Sequence, residues 1–563
     1  MSNAGRAALL AADAETALAA FSEAVAQDPR DYEARYGLAA ALMQAGEPAH
    51  EAFDDARTLQ ALSIARGAGA DMNRLMADAK YARQIGVQLY NQQHVACASV
   101  VMGMALSKGE IDPLGLLDYA LSLQHQARGE EAAQYMAAAV QNFPSAAMHN
   151  YLAYAQLFCD DGERRYAEEA RAWAARWAAI PPPPAHANPP LAGRKLRVGY
   201  VAPKFADSQL RQFITPILEA HDPDAVEVVL YPTEAETETG WPAWVAVRAL
   251  GNLDDAKAAE LIRNDRIDVL NDCWGHTSGS RLGVFARKPA PVQVAWINFF
   301  HTTGLPQMDY VIQGAAEQAP DFSELFTEKL WPIGPVYSPF RPAAGRLEPV
   351  ATPAKASGTV TFGSFNHPGK LSDGALAAWA TVLRNAPRSR LLLKYRYYMD
   401  PVLQSFTRAR FLAHGVAPDR IVFAGHSAGE DYFKAFQEVD LMLDSWPYTG
   451  STTTLEALSN GVPVLLMTER PATIGGYYGA TMLRACGLPD LITETPEDFV
   501  ARALELARDV EALDAVRARV RPGFDGSALR DEMGFVRRLE DGFRAMFAQW
   551  QAEQSPPLAV AAG

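Results

Sequence analysis

The stretch Leu443-Asp-Ser-Trp-Pro-Tyr-Thr-Gly-Ser-Thr-Thr-Thr-Leu-Glu-Ala-Leu458 joins an apolar run to a segment with helical periodicity. The residues from Asp440 to Leu443 predict a buried strand, and the Pro and Gly after them predict a turn. The N–H groups of the following helix's first turn, together with its hydroxyl side chains, predict a seat for a phosphate or diphosphate. Glu456, about one turn into that helix, can reach a ribose hydroxyl. Taken alone, the segment is equally compatible with an ordinary Ser/Thr-capped helix.

Short apolar runs alternate with helical segments on both sides of this stretch, which predicts parallel sheets buried on both faces. The runs in the same half are Val360–Phe365, Arg390–Tyr395, Arg420–Phe423, Asp440–Leu443 and Val462–Met467. The runs in the half before it are Lys195–Val201, Val226–Tyr231, Ile267–Leu270, Val292–Ile297 and Tyr310–Ile312. Two such α/β halves in tandem predict two Rossmann-like lobes with a ligand cleft at the carboxyl ends of their strands. We expect a last helix, about Arg530 to Gln551, to pack back on the lobes.

The sequence before the proline-rich run Ile180–Pro190 is rich in alanine and has a helical period. Ala17, Phe21, Ala24 and Pro29 have the spacing of tetratricopeptide repeats, and Ala132, Met136, Ala139 and Pro144 repeat that spacing. Leu38, Ala39 and Leu42 fit the first helix of the next unit, while the region from Arg57 to Ile111 is degenerate. The prediction is a superhelix of repeats that holds a peptide or a protein, and a generic helical bundle is the alternative.

These patterns predict an α plus α/β chain with five parts. They are a helical repeat domain (1–180), a proline-rich linker (181–193), a first α/β lobe (194–345), a second lobe (355–553) and a disordered tail (554–563).

Composition and charge exclude several classes of protein. A net charge of −15 argues against a nucleic-acid partner, since phosphate contacts need a basic surface. The four cysteines, Cys97, Cys159, Cys273 and Cys486, lack metal-ligand spacing and suit a reducing compartment. The chain begins with no secretory signal and has no apolar run long enough for a membrane span. We therefore expect a cytoplasmic protein with no membrane partner and no metal.

Three further segments near predicted strand ends carry polar side chains suited to a nucleotide. Gly363-Ser-Phe-Asn-His-Pro-Gly-Lys370 ends in a lysine whose ammonium can neutralise a departing diphosphate, although a surface loop lysine is the commoner case. Phe423-Ala-Gly-His-Ser-Ala-Gly-Glu-Asp-Tyr432 offers a tyrosine that can stack on a base or simply fill the core. Asn271-Asp-Cys-Trp-Gly-His-Thr-Ser-Gly-Ser-Arg281 would face the cleft from the other lobe with His276.

Together these motifs resemble the protein O-GlcNAc transferase/SPINDLY family. The resemblance covers about Arg194 to Trp550 and rests on five ordered motifs. They are Gly275-His-Thr-Ser-Gly-Ser-Arg-Leu282, Phe285-Ala-Arg-Lys-Pro-Ala-Pro-Val-Gln-Val-Ala-Trp296, Thr302-Thr-Gly-Leu-Pro-Gln-Met-Asp-Tyr310, Ser364-Phe-Asn366 and the stretch from Leu443 to Thr454. The resemblance implies a GT-B glycosyltransferase that inverts the anomeric centre without a metal. It also implies a nucleotide-sugar donor as co-substrate and transfer to Ser or Thr hydroxyls of proteins bound partly by the repeats.

The same resemblance implies roles for individual residues. Lys370 matches the family's diphosphate-binding lysine, His367 a residue near the phosphates, and Glu456 a ribose ligand. The phosphate turn would comprise Gly450, Ser451, Thr452 and Thr453, and the base-binding loop Ser427 and Tyr432. The base that deprotonates the acceptor is left open between His276, His301 and Glu260. Glu260 falls near a carboxylate proposed for that role in the family, on an alignment of few residues.

The chain departs from the family pattern around the predicted sugar pocket. Lys204 replaces an acidic residue, Ser208 replaces a histidine that lines the active site, and Ile297-Asn-Phe-Phe-His301 replaces a Gly- and Pro-rich loop. Gly429 stands where the family has a base-loop lysine. An added cation would favour an anionic donor. Some bacterial proteins similar to this family, with repeats followed by this domain, glycosylate flagellin with nonulosonic acids carried on CMP, and the departures would suit such a donor. The resemblance to them implies the hypothesis of a CMP-linked nonulosonic acid as donor and flagellin as acceptor.

Other functions remain open from the sequence. The first is an O-GlcNAc or O-fucose transferase that uses a UDP- or GDP-linked sugar on cytoplasmic proteins. The second is a non-catalytic adaptor whose transferase domain has lost its chemistry, which the loss of a histidine at Ser208 would support. The third is a GT-B enzyme acting on free sugars or polysaccharides, which leaves the repeats without a purpose.

Overall fold

The structure is a computed structural model, and it describes residues 2–181, 185–206, 209–235, 240–314, 320–469 and 472–554. Ser208, most of the predicted disordered tail and part of the proline-rich run lie outside the described residues. Among the helices of the described ranges, none combines the length and the hydrophobicity that crossing a lipid bilayer requires.

The N-terminal part is a series of antiparallel helices, as the alanine-rich periodicity predicts. The helices are α1 (Asn3–Leu10), α2 (Ala14–Gln27), α3 (Tyr32–Gln44), α4 (His50–Gly67), α5 (Met72–Ala77), α6 (Ala79–Asn91), α7 (Val95–Ser107), α8 (Pro113–Gln124), α9 (Gly129–Asn142), α10 (Ala146–Gln156) and α11 (Gly162–Trp177). Most of these helices pack on their sequence neighbours, and α4 packs on α3 and α7, which is the arrangement of a helical repeat array.

The residues that predicted the repeats occupy their expected places in this array. Phe21 in α2 is fully buried, and a Cβ added at Gly5 or Gly37 would come within 2.7 or 2.2 Å of its ring. The two glycines therefore let α1 and α3 approach the ring from both sides. Ala132 and Met136 in α9 are buried in the same way. The tetratricopeptide-like superhelix is confirmed.

The first α/β lobe is a seven-stranded parallel sheet in the order β3-β2-β1-β4-β5-β6-β7. Its strands are β1 (Leu196–Ala202), β2 (Val226–Pro232), β3 (Ala246–Val247), β4 (Val269–Asp272), β5 (Val292–Ala295), β6 (Tyr310–Gly314) and β7 (Lys329–Gly334). Its helices are α12 (Arg211–Ala220), α13 (Asp255–Asn264) and α14 (Leu282–Phe285).

The second lobe is a six-stranded parallel sheet in the order β10-β9-β8-β11-β12-β13. Its strands are β8 (Val360–Ser364), β9 (Ser389–Lys394), β10 (Ile421–Ala424), β11 (Leu441–Leu443), β12 (Val464–Met467) and β13 (Ile492–Thr493). Its helices are α15 (Ala354–Ser357), α16 (Asp373–Asn385), α17 (Pro401–Ala413), α18 (Glu430–Gln437), α19 (Thr452–Ser459), α20 (Ile474–Ala485), α21 (Pro496–Arg508), α22 (Val510–Asp525) and α23 (Glu532–Gln554). Both sheets reverse their strand order beside their first strand, as Rossmann-like sheets do.

The last helix returns to the first lobe, as its position in the sequence predicts. Helix α23 packs against α12 and β7, and the Glu540 carboxylate accepts hydrogen bonds from His221 Nδ1 and Asp222 N of that lobe, both at 2.9 Å. The two lobes are thus joined by a helix that belongs in sequence to the second.

The repeats pack directly on both lobes. Buried Asp400, at the start of α17, accepts hydrogen bonds from the backbone N–H groups of Ala96 and Cys97 at the start of α7. Glu163 of α11 accepts from Ile474 N and Gly475 N at the start of α20. The Tyr166 hydroxyl, also on α11, donates to Thr302 O of the first lobe at 2.8 Å. At two places where the repeats meet the second lobe, a carboxylate from one part therefore caps the N-terminus of a helix in the other.

Candidate active site

The predicted diphosphate site lies where two neighbouring strands of the second sheet end. Strand β11 pairs in parallel with β8, with Met442 opposite Gly363. Because both strands end at the same edge, the segments Ser364–Lys370 and Asp444–Thr454 meet there. The sequence placed these segments at strand ends, and the pairing brings them together.

Lys370 has a half-buried side chain at the centre of this meeting point. Its Nζ donates to Thr449 O at 2.8 Å and lies 3.9 Å from the centre of the Tyr448 ring. Burial lowers the pKa of Lys370 to about 8, against a smaller opposing effect of the nearby Asp444 carboxylate. A carbonyl and a ring face are weak substitutes for an anion, so the ammonium is well placed to gain a phosphate.

The N-terminus of α19 offers its backbone N–H groups at the same place. Ser451 is the N-cap residue, yet its side chain forms no capping hydrogen bond to the described part of the chain. The Thr453 hydroxyl donates to Asn366 Oδ1 at 2.5 Å instead of capping the helix. Gly450 and Thr452 complete the turn. An uncapped helix start beside a lysine favours the phosphate seat over the ordinary capped helix.

Asp444 holds this turn in shape, and sequence reasoning did not single it out. Its carboxylate is buried and accepts from Gly450 N at 2.8 Å, Ser445 N at 2.9 Å and Asn366 Nδ2 at 2.8 Å. Burial raises its pKa, while these donors act in the opposite direction. Asp444 and Asn366 stand inside two quoted motifs directly after strands, and that position is the signal that could have identified them.

The predicted base and ribose residues adjoin one another. The Tyr432 hydroxyl donates to Glu456 Oε2 at 2.6 Å, and burial raises the pKa of Glu456. Lys394, at the end of β9, donates to Ser427 Oγ at 2.7 Å and to Gly425 O at 2.9 Å. Lys394 thus brings to the base-binding loop the positive charge that Gly429 does not. Sequence reasoning missed it because it belongs to a different strand.

His367 begins the turn that carries Lys370. Its Nδ1 accepts from Gly369 N at 3.0 Å, and burial holds the pKa of the ring well below its ordinary value. His367 therefore caps the short helical turn Pro368–Lys370 in the neutral form. Its other nitrogen faces the repeats, where it meets His125.

His276 is fully buried, and both of its ring nitrogens have partners. Nε2 lies 2.8 Å from Thr303 O, and Nδ1 lies 2.7 Å from the side-chain amide of Asn150 in the repeats. Burial lowers the pKa of His276 to about 4, so the ring is neutral and carries one N–H. Both partner atoms, Thr303 O and Asn150 Oδ1, are oxygens, so the neutral ring donates its single N–H to one of them. This arrangement favours a structural role over that of a base.

His301 lies in a different setting, on the wall of a cavity of about 980 Å³ between the repeats and the second lobe. Its side chain is 3% exposed, and neither ring nitrogen has a hydrogen-bond partner among the described residues. Nε2 is 3.5 Å from the Glu163 carboxylate, which also lines the cavity. Tyr448, the ring beneath Lys370, forms part of the same wall. Of the three predicted bases, His301 has the geometry best suited to accept a proton.

Two other predicted residues of the first lobe are Glu260, which is exposed, and Lys204, which lies near a carboxylate. Glu260 is on the exposed face of α13. Lys204 Nζ is 3.8 Å from Glu234 Oε2, so its charge is partly balanced within the lobe. Burial raises the pKa of Asp272, at the end of β4, to about 7, and this carboxyl accepts from Gly275 N at 2.9 Å. Asp272 thereby orients the loop that carries His276.

No candidate metal centre is found among the residues that the structure describes. Within the described ranges, no three His, Cys, Asp or Glu side chains are grouped as metal ligands would be. The expectation of metal-independent chemistry stays a prediction.

Two Rossmann-like sheets in tandem, with a half-buried lysine beside a helix N-terminus at a sheet edge, are the architecture of a glycosyltransferase of the GT-B class. The profile of glycosyl transferase family 41 matches residues 182–337 and 352–539. The chain belongs to this family.

Individual relatives agree with this assignment. A protein of Oryza sativa subsp. japonica named "Probable UDP-N-acetylglucosamine--peptide N-acetylglucosaminyltransferase SPINDLY" is 34% identical over 387 residues, covering 66% of this chain and 41% of that protein. The protein of the same name from Hordeum vulgare is 32% identical over 385 residues, covering 66% of this chain and 40% of that protein. The chain thus spans about two fifths of the length of these relatives.

A solved structure matches the whole molecule. An O-GlcNAc transferase mutant of Thermobaculum terrenum superposes with a TM-score of 0.76 at 26% identity. The match covers 98% of this chain and 99% of that chain, so it includes the repeats as well as both lobes.

Proposed function

We propose that this protein transfers a sugar from a nucleotide donor to a Ser or Thr hydroxyl of a protein acceptor. The observation that carries the proposal is Lys370, whose half-buried ammonium lies 2.8 Å from Thr449 O and 3.9 Å from the centre of the Tyr448 ring, beside the uncapped start of α19. Such a site concentrates positive potential where a leaving phosphate would develop negative charge. An adaptor without chemistry would have no need of it.

The reaction in this proposal is a direct displacement with inversion. The acceptor oxygen attacks the anomeric carbon, the bond from that carbon to the phosphate oxygen breaks, and the bonding pair leaves with the nucleotide. Lys370 and the N–H groups at Thr452 and Thr453 stabilise the negative charge on the departing phosphate, and the scheme uses no metal. Tyr432, Glu456 and Ser427 hold the nucleoside, and most of the rate comes from positioning and leaving-group stabilisation.

The acceptor hydroxyl must also lose a proton, and we assign that proton to His301. His301 lines the cavity of about 980 Å³ that connects repeat residues such as Arg128 and Glu131 to Tyr448, and its buried ring nitrogens have no hydrogen-bond partner among the described residues. Glu163, 3.5 Å away, would stabilise the imidazolium that forms. In this assignment the acceptor segment enters along the repeats and reaches Lys370 through the cavity.

We take UDP-N-acetylglucosamine as the donor to test first. The named relatives and the matched structure are N-acetylglucosamine transferases by name, and two of them name the UDP-linked donor. The prediction of a CMP-linked nonulosonic acid rested in part on Lys204, and that cation lies near Glu234. Flagellin as the acceptor and the cytoplasm as the compartment stay predictions.

The experiment is a donor panel read by mass spectrometry. Purified full-length protein is incubated with UDP-N-acetylglucosamine, GDP-fucose or a CMP-linked nonulosonic acid, and released nucleotide and modified acceptor proteins are measured. We expect UDP release and an added N-acetylhexosamine mass on Ser or Thr. Transfer from the CMP- or GDP-linked sugar alone would overturn the choice of donor. No turnover of any donor at saturating concentration would overturn the enzyme proposal.

A further inference from the structure

The turn that carries Lys370 touches the repeats as well as its own lobe. A Cβ added at Gly369 would come within 2.3 Å of Gln124 O, at the end of α8. His125, the C-cap residue of α8, is 7% exposed and stacks on Tyr397 of the second lobe at 4.2 Å between ring centres. The last turn of one repeat helix is therefore part of the wall of the phosphate site.

A chain of hydrogen bonds crosses this contact. The first donor in the chain determines which nitrogen of each histidine carries the proton. His367 Nδ1 accepts from Gly369 N at 3.0 Å, so in the neutral ring the proton is on Nε2. That Nε2 lies 2.7 Å from His125 Nδ1, which must therefore accept. His125 Nε2 then carries its own proton and faces the Tyr90 hydroxyl at 3.3 Å. Each tautomer determines the next.

Both rings are held in the neutral form that the chain requires. Burial lowers the pKa of His125 to about 3, and the Arg396 guanidinium acts in the same direction. Burial also lowers the pKa of His367, as do His125, Lys370 and Arg396. A proton added to His367 would place a second cation beside Lys370.

We infer that His125 is a positioning residue supplied by the repeats to the diphosphate site. By accepting from His367 Nε2, it acts together with the Gly369 N–H to hold the His367 tautomer whose Nδ1 caps the turn Pro368–Lys370, and this turn aims the ammonium. The effect of His125 on catalysis rests on the proposed function. The tautomer of His367 does not depend on that function. The repeats then serve the chemistry directly in addition to binding an acceptor.

Two substitutions isolate the hydrogen bond from the packing. His125→Phe keeps a ring to stack on Tyr397 but removes the acceptor, whereas His125→Asn places an amide oxygen near the former Nδ1 position. We expect His125→Phe to lower kcat/KM for the donor about tenfold and to weaken binding of UDP by a similar factor. His125→Asn should restore most of both.

The matched control is Met136→Ala, which removes a buried side chain from the repeat core away from His367. It should lower thermal stability without changing the affinity for UDP. A loss of UDP affinity in Met136→Ala as large as that in His125→Phe would show a general effect of weakened repeats, and would overturn the inference.

The direct readout is the tautomer of His367, measured by NMR on protein with 15N-labelled histidine rings and assigned with His367→Gln. We expect the Nε2–H form in the unmodified protein and a mixture with the Nδ1–H form in His125→Phe. An unchanged tautomer in His125→Phe would overturn the inference whether or not the protein transfers sugar. A changed tautomer in a protein that turns over no donor would uphold the positioning while the proposed function fails.

Discussion

At the scale of single residues, the proposed chemistry depends on side chains that are wholly or partly withdrawn from solvent without a full set of polar partners. Lys370 contacts a carbonyl and a ring, and His301 lines a cavity with both nitrogens unpartnered among the described residues. Such groups are costly in an empty site and become favourable when a charged ligand arrives. They are therefore where pH and mutation should act most strongly.

The pKa of Lys370 predicts loss of activity in alkaline solution. Burial lowers that pKa to about 8, so the ammonium is present below that pH and is lost as the pH rises through it. Since only the cation attracts the donor phosphates, kcat/KM for the donor should fall about tenfold per pH unit above the pKa. In Lys370→Arg the charge persists, and the alkaline decline should disappear from a lower starting rate. A constant kcat/KM for the unmodified protein up to pH about 10 would contradict this assignment.

His301 predicts a defect in the chemical step. His301→Gln keeps a polar side chain of similar reach but removes the base, so kcat should fall about 10²- to 10⁴-fold with little change in UDP affinity. The comparison is His414→Gln, a histidine at the end of α17 that does not line the cavity. Equal activity of the two variants in steady-state assays would remove His301 from the mechanism.

At the scale of elements, helix N-termini in one part of the chain are capped by carboxylates from another. Asp400 Oδ2 accepts from Ala96 N at 2.6 Å and Cys97 N at 3.0 Å in α7, while Oδ1 accepts from Val402 N at 2.8 Å in its own helix α17. One buried side chain thus serves two helices from different domains. The repeats are fixed to the lobe by these caps as well as by apolar packing.

Asp400→Ala should therefore destabilise the protein by about 3 kcal/mol or more, because it leaves several buried N–H groups without acceptors. Urea unfolding measures the change. Asp419→Ala is the control, since that side chain is 77% exposed and its ion pair with Arg6 should contribute less than about 1 kcal/mol. A loss of stability in Asp400→Ala no larger than that of the control would show that the caps do not hold the interface.

The elements that the sequence predicts are those with a strong local pattern. All ten predicted strands are present, because apolar runs such as Val360–Phe365 are buried on both faces in β8. The analysis of patterns missed β3 and β13, which have two residues each, and β7, whose Pro332 and half-exposed residues mark an edge. Short edge strands depend on their neighbours more than on their own sequence.

Some residues of the candidate site could likewise be predicted from local patterns, and others could not. Lys370 and Ser451–Thr453 could be predicted because they lie in the loops that follow β8 and β11, and neighbouring parallel strands bring such loops together. His125 could not, because its partner His367 is 242 residues away and the contact exists only once the repeats dock. Lys394 reaches the base-binding loop from a neighbouring strand, and no local sequence pattern predicts that contact.

At the scale of the whole molecule, the repeats contribute polar side chains to segments of both lobes. The repeats contribute Asn150 to the loop of His276, Glu163 to the setting of His301 and His125 to the turn of Lys370. A protein that binds its acceptor with the repeats can thus couple that domain to the position of the catalytic groups.

The central claim is that Lys370, with the start of α19, stabilises a departing nucleotide. The most direct measurement is the single-turnover rate of sugar transfer from UDP-N-acetylglucosamine in Lys370→Ala, with Lys355→Ala as the control for a lysine paired with Glu511 and Asp514 on the surface. The account predicts a loss of about 10²- to 10³-fold in Lys370→Ala and an unchanged rate in the control. A Lys370→Ala rate within a factor of about two of the unmodified protein, a difference below about 0.5 kcal/mol, would contradict it.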